Sequence, residues 1–141
     1  MRIAILAPLK RELSQDTNGG RPRIVYNLEE ELFARGYDVT VFGTGDSVIS
    51  GKLVPVIPKA LFHLPQVENE FYRHLIYLSE MIEKLREYKG KFDIIHNHMY
   101  PEVLPLLIAS ELHTPMVTTI HTQMTQELGV FFARYPETYF S

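Results

Sequence analysis

Between Met1 and Asp46 the chain reads strand, glycine-bearing loop, helix, strand, and that order leaves few folds open. Arg2-Ile3-Ala4-Ile5-Leu6-Ala7 is a short apolar run without clean alternation, as expected of a parallel strand buried on both faces. The polar loop after it closes on Asn18-Gly19-Gly20. Glycines there can take positive φ and let another group approach the backbone. Pro22 suits the first turn of a helix, where its missing N–H costs nothing. From Pro22 to Arg35 the period of about 3.6 puts Ile24, Leu28, Leu32 and Phe33 on one face and Glu29, Glu30 and Arg35 on the others. Gly36 stands where a helix C′ residue is expected, and Asp38 to Phe42 is the second strand. A strand, a Gly-Gly turn and a helix N-terminus form an anion site, because free N–H groups and the helix dipole point at the loop. A phosphate is expected there.

The pattern repeats along the chain. Gly43 to Ser47 is a polar loop, and Leu53 to Ile57 is a short strand that Pro55 and Pro58 mark as an edge. Gln66 to Tyr88 is the longest helical stretch, with Phe71, Leu75, Leu78, Ile82 and Leu85 at spacings of three and four; its charged run from Glu80 to Lys91 reads as a solvated face. Phe92 to His96 is a fourth strand, Pro101 to about Leu112 an apolar helix, Met116 to Ile120 a fifth strand and Gln123 to Arg134 a last helix. Glu137 to Ser141 reads as the opening of a further strand. Strands alternating with helices imply an α/β fold, a Rossmann-like parallel sheet with helices on both faces, in one domain over residues 1–141. Ligands of such sheets bind beyond the carboxyl ends of the strands. Asn18-Gly19-Gly20, Asp46, His98 and His121 all fall at those ends.

Composition excludes several classes. A net charge of −3 gives no electrostatic reason to expect nucleic acid. The absence of cysteine rules out disulfides and thiolate metal sites. No apolar run approaches the roughly 20 residues of a membrane span, and the N-terminus enters a strand without a secretion-type leader, so a cytoplasmic domain is expected.

The residues that can carry chemistry are few. Gly19-Gly20 is only part of a nucleotide fingerprint: neither GxGxxG nor GxxxxGK[ST] is present, and a flexible turn would use the same pair. Arg21 and Arg23 flank the helix start, where they would hold an anion or stand in solvent. His96 and His98 share one face of the fourth strand and Asn97 takes the other. His96, still inside the strand, fits a packed core histidine. His96, His98 and His121 could converge on a metal, but no carboxylate partner is evident from the sequence, and neither metal nor cofactor is expected. His63, His74 and His113 lie in connector or helix contexts and read as surface residues. A serine hydrolase is not supported, because the G-x-S-x-G elbow is missing.

In order and spacing these segments resemble the N-terminal half of a GT-B glycosyltransferase of family four, the retaining, glycogen-synthase-like group. The resemblance covers essentially the whole chain. It is carried by Met1 to Ile5, by Gly19-Gly20, by Glu31 to Val41, by Phe92-Asp93-Ile94-Ile95-His96-Asn97-His98 and by Thr118-Thr119-Ile120-His121-Thr122. It implies an enzyme that moves a sugar from a nucleotide-diphosphate donor to an acceptor with retention at the anomeric carbon. Gly19 and Gly20 would then lie near the donor diphosphate, and His121 near the transferred sugar as the catalytic-site residue. Asn18, Asn97, His98, Tyr100 and Thr122 would line the cleft on the acceptor side. The chain departs from its relatives after the glycine pair, where Arg21-Pro22-Arg23 replaces an apolar residue followed by an acidic one. The family's C-terminal donor-binding domain is not within these residues, so the chain reads as a half that needs that domain or a partner subunit, and little activity is expected of it alone. Two other readings remain: a non-catalytic α/β module binding a nucleotide or phosphorylated ligand, and a metal-dependent hydrolase using the histidines.

Overall fold

The computed structural model describes residues 1–141 and shows the six-stranded, all-parallel α/β sheet that the alternation implied. The strands are β1 (Arg2–Leu6), β2 (Asp38–Thr44), β3 (Lys52–Ile57), β4 (Ile94–Asn97), β5 (Met116–Thr118) and β6 (Tyr139–Phe140), in the order β3-β2-β1-β4-β5-β6. The helices are α1 (Gly20–Ala34), α2 (Glu70–Glu87), α3 (Ala109–Leu112) and α4 (Gln126–Phe132). β1 is central, with Ile3 beside Val39 on one flank and Ile94 on the other. β3 is an edge that pairs only with β2, its Pro55 opposite Gly43, next to a register shift. Proline thus sits where a missing ladder hydrogen bond costs least.

Both sides of the sheet are covered, which explains the unalternating apolar runs. Ile3, Ile5 and Ala7 join Val25 of α1 with Val39 and Val41 in one core. Ala4 and Leu6 join Phe42, Leu78, Met81, Leu85, Ile95 and Leu106 in a larger core on the opposite side. Phe42 anchors the second layer with Tyr88 and Phe92 edge-on at 5.2 and 5.8 Å.

Helix α1 starts and stops as its glycines dictate. Gly19 is the N-cap at φ 133° and Gly36 the left-handed residue after the end, at φ 82°. There the N–H of Tyr37 reaches the Leu32 carbonyl and that of Gly36 the Phe33 carbonyl, a Schellman closure. The buried face overlaps the expected one only in part, with Leu28 and Leu32 packed against this core. Ile24 and Phe33 are exposed, whereas Pro22, Val25 and Glu29 are buried. Glu29 turns inward because the Gly51 N–H of the β2–β3 loop donates to it at 2.7 Å, and a Cβ on Gly51 would stand 2.7 Å from that same oxygen. Burial raises the Glu29 pKa above the ordinary carboxyl range.

Four other expectations are corrected. Helix α2 buries Leu78, Met81 and Leu85, but Phe71 is 72% exposed and Leu75 half-exposed. α2 packs against β3 through its second half, and its opening turns overhang the carboxyl rim. Residues 101–112 are not one helix. Turns lead into a 3-10 segment at Pro105–Ile108 and the single turn of α3, because Pro105 has no N–H for a continuous ladder. β5 ends at Thr118 and α4 begins at Gln126, both shorter than the apolar pattern suggested.

Candidate functional site

Parallel strands bring all their carboxyl ends to one rim, and the first residues past β4 and β5 meet there. The backbone of His98 is pinned by its N–H to the Leu6 carbonyl, and Thr119 N–H donates to the Asn97 carbonyl. His96 and His98, two apart on one strand face, place their rings 4.1 Å apart. His98 Nδ1 lies 2.8 Å from His121 Nε2. His96 Nε2 lies 2.9 Å from the Thr119 hydroxyl, which in turn meets Ser141 at 2.8 Å.

Beside this pair lies Glu102, 3% exposed and unforeseen in the sequence. Its carboxylate accepts the His121 backbone N–H at 3.2 Å and pairs with the Arg21 guanidinium at 3.3 Å. Arg21 also lies over the Tyr100 ring, 4.7 Å from its centre. Arg21 thus joins the start of α1, next to Gly20, to the loops after β4 and β5. Arg23 points elsewhere, donating to the Gln15 carbonyl. Asn97 is fully buried beneath the group; its amide donates to the Glu102 carbonyl and to Thr118, and its oxygen accepts the Met99 N–H. It shapes the site from below and does not face the cleft.

The electrostatics are those of neutral imidazoles beside a fixed cation. Burial, with help from His96, His121 and Arg21, pushes the His98 pKa down to about 3. Burial lowers His121 as well, and Arg21 adds to this against the opposing pull of Glu102. His96 is lowered by burial and by His121. At neutral pH these rings offer hydrogen bonds, not charge.

The glycine pair behaves as two different residues. Gly19 needs its positive φ, whereas an added Cβ at Gly20 would meet nothing within 4 Å. Helix α1 opens with no side-chain cap and no acidic residue in its first turn, so its dipole end is unneutralised. Asn18 and Thr122 are exposed on the same rim. Tyr100 also borders a cavity of about 660 Å³. Leu61, Phe62, Phe71 and His74 line its other sides beneath the overhang of α2, a size that suits a small ligand.

Asp46, expected on the rim, belongs to a second cluster. Both its oxygens accept the Ala60 N–H, and Glu12 bonds His63 at 2.8 Å. Glu12, Asp46 and His63 each offer a donor atom within 4.8 Å of the others, the one carboxylate-histidine grouping with metal-ligand spacing. His63 and His113 are exposed as expected, but His74 is half-buried, and burial lowers its pKa.

The sequence model of Glycosyltransferase Family 4 matches residues 18–140. No curated protein sequence matches the chain significantly. Among solved structures, sucrose-phosphate synthase from Thermosynechococcus elongatus superposes with a TM-score of 0.63 at 17% identity, over 86% of this chain and 33% of that one. The C-terminal domain of the coenzyme A biosynthesis bifunctional protein CoaBC gives 0.54 at 12% identity, over 97% and 73%. The DNA/pantothenate metabolism flavoprotein from Streptococcus pneumoniae gives 0.52 at 12% identity, over 95% and 76%. At such identities the likeness is one of fold, and the same sheet serves proteins of different names. The chain spans about a third of the length of the sucrose-phosphate synthase it matches. No helix is long and apolar enough to cross a membrane. The matched segment takes in the glycine pair, the histidine pair and every strand but β1, and the chain belongs to glycosyltransferase family 4.

Proposed function

We propose that this chain is the acceptor-side half of a retaining glycosyltransferase that uses a nucleotide-diphosphate sugar and requires a second, donor-gripping domain or subunit for turnover. In that reaction the bond from the anomeric carbon to the diphosphate breaks and the diphosphate leaves with the electron pair. The acceptor oxygen then bonds the same face of the sugar and passes its proton to the departing diphosphate oxygen. Negative charge grows on the leaving group, so donors fixed in advance at that place lower the barrier. The free N–H groups at the start of α1 suit this role, and His121 suits the edge of the transferred sugar. The cavity between Tyr100, Phe62 and Phe71 suits the acceptor. The reading needs neither metal nor cofactor.

The observation that carries it is the meeting of the uncapped start of α1 with the loops after β4 and β5, through Arg21, Glu102 and His121. The test is a titration of the ¹⁵N-labelled chain with nucleoside diphosphates and nucleotide sugars. Amide shifts are expected at Gly19, Gly20 and Arg21, with Kd on the order of 1 mM, about −4 kcal/mol. Gly20→Asp keeps the fold, since its Cβ meets nothing and an acid suits a helix start, but abolishes those shifts. Shifts confined to the Glu12–His63 region would refute the reading. Micromolar binding by the chain alone would favour the non-catalytic module instead.

A further inference from the structure

The His98–His121 hydrogen bond has one proton and two candidate owners, and burial decides between them. His98 is 2% exposed, and its other nitrogen, Nε2, is buried without a hydrogen-bond partner. A neutral imidazole carries one N–H and one bare nitrogen. If His121 donated from Nε2, His98 would accept at Nδ1 and so hold its own proton on Nε2, an N–H sealed away with nothing to receive it. If His98 donates from Nδ1, Nε2 is only a bare lone pair. Buried orphan N–H groups are the rarer and costlier defect.

We infer that His98 is a positioning residue which donates from Nδ1 to His121 Nε2 and so locks His121 as the tautomer bearing its proton on Nδ1. His121 then has one free ring group, an N–H, and meets a ligand oxygen as a hydrogen-bond donor; it is not a base. Burial and Arg21 keep both rings uncharged at neutral pH, so a second proton does not blur the choice. The His121 backbone N–H, held by Glu102, fixes the other end of the residue. The tautomer stands on this hydrogen bonding alone. That the oxygen belongs to a hydroxyl of the transferred sugar rests on the transferase reading above.

Long-range ¹H–¹⁵N correlation spectra of the full chain at pH 7 read protonated and bare ring nitrogens directly. The expected pattern is a protonated Nδ1 and a bare Nε2 on both His98 and His121. A protonated Nε2 on His121, or a mixture of both forms, overturns the inference. His98→Asn puts an amide N–H near the place of Nδ1 and retains the single His121 form, whereas His98→Leu releases it into a mixture. An unchanged His121 pattern in a folded His98→Leu chain would show that His98 is not the lock. If that variant does not fold, the wild-type and His98→Asn spectra decide. These spectra need no nucleotide, so their failure and that of the transferase reading are separable.

Discussion

Two polar clusters sit on the same carboxyl rim, on either side of β1, and they differ in what their side chains are used for. On the β2–β3 side, Glu12, Asp46 and His63 are at least partly exposed; Asp46 ties down the Ala60 N–H, and Glu12 meets His63. On the β4–β5 side, Glu102 and His98 are buried, one ring nitrogen has no partner, and burial lowers the pKa of His121 and takes that of His98 down to about 3. The first cluster closes loops at little cost. The second keeps an unpartnered ring nitrogen and an ion pair out of water, an arrangement that folding alone does not favour and a ligand site can use. Spacing and residue type alone would rank the two alike, and burial separates them.

The contrast breaks most visibly at the two glutamates. Glu102→Ala strands Arg21 and the His121 N–H and should cost about 3 kcal/mol in urea unfolding, as for a broken buried pair. Glu12→Ala on the other side should cost under about 1 kcal/mol. Equal losses would erase the distinction drawn here.

Acid sharpens it further. The His98 pKa of about 3 in the folded chain lies below the ordinary 6.5, so between those values the unfolded chain binds more protons. Stability therefore falls as pH drops from about 6.5 toward 3, and His96 and His121 act with the same sign. His98→Asn should flatten that slope in urea midpoints taken between pH 7 and 4. Glu29, raised by burial, works in the opposite sense and cancels in the difference. A variant as acid-sensitive as the wild type would refute the assignment.

The smallest effect is expected at His63. His63→Ala should change stability by no more than about 0.5 kcal/mol, and a chelator should leave the melting curve in place. A midpoint that climbs with added zinc in the wild type but not in His63→Ala would make the Glu12 cluster a metal centre after all.

Much of this was legible in the sequence, because strand runs and helix punctuation are local signals. The buried β1, the Gly36 boundary and the edge proline of β3 all follow from residues read in place, whereas α1 starts at Gly20, two residues before the expected Pro22. The histidines were found because their strands end where ligands bind. Glu102 was not, since an acid after Pro101 looks like an ordinary helix start until Arg21, some eighty positions earlier, folds against it. Glu29 failed for the same reason: its partner, the Gly51 N–H, lies in a loop that no periodicity reports. Phe71 kept the right spacing, but the sheet ends before it.

The central place of β1 has a consequence for how the chain reaches its native state. Its first flank is completed by β2, close behind it, but its second waits for β4, and the clasp at its foot joins Arg2 to Asp93, 91 positions apart. A nascent chain that has emerged only as far as β3 therefore holds a three-stranded half-sheet with the apolar edge of β1 open. Such an edge pairs readily with other chains. Closing that long loop is the non-local step expected to set the folding rate, so temperature and crowding should act on the yield of this protein before they act on its finished structure.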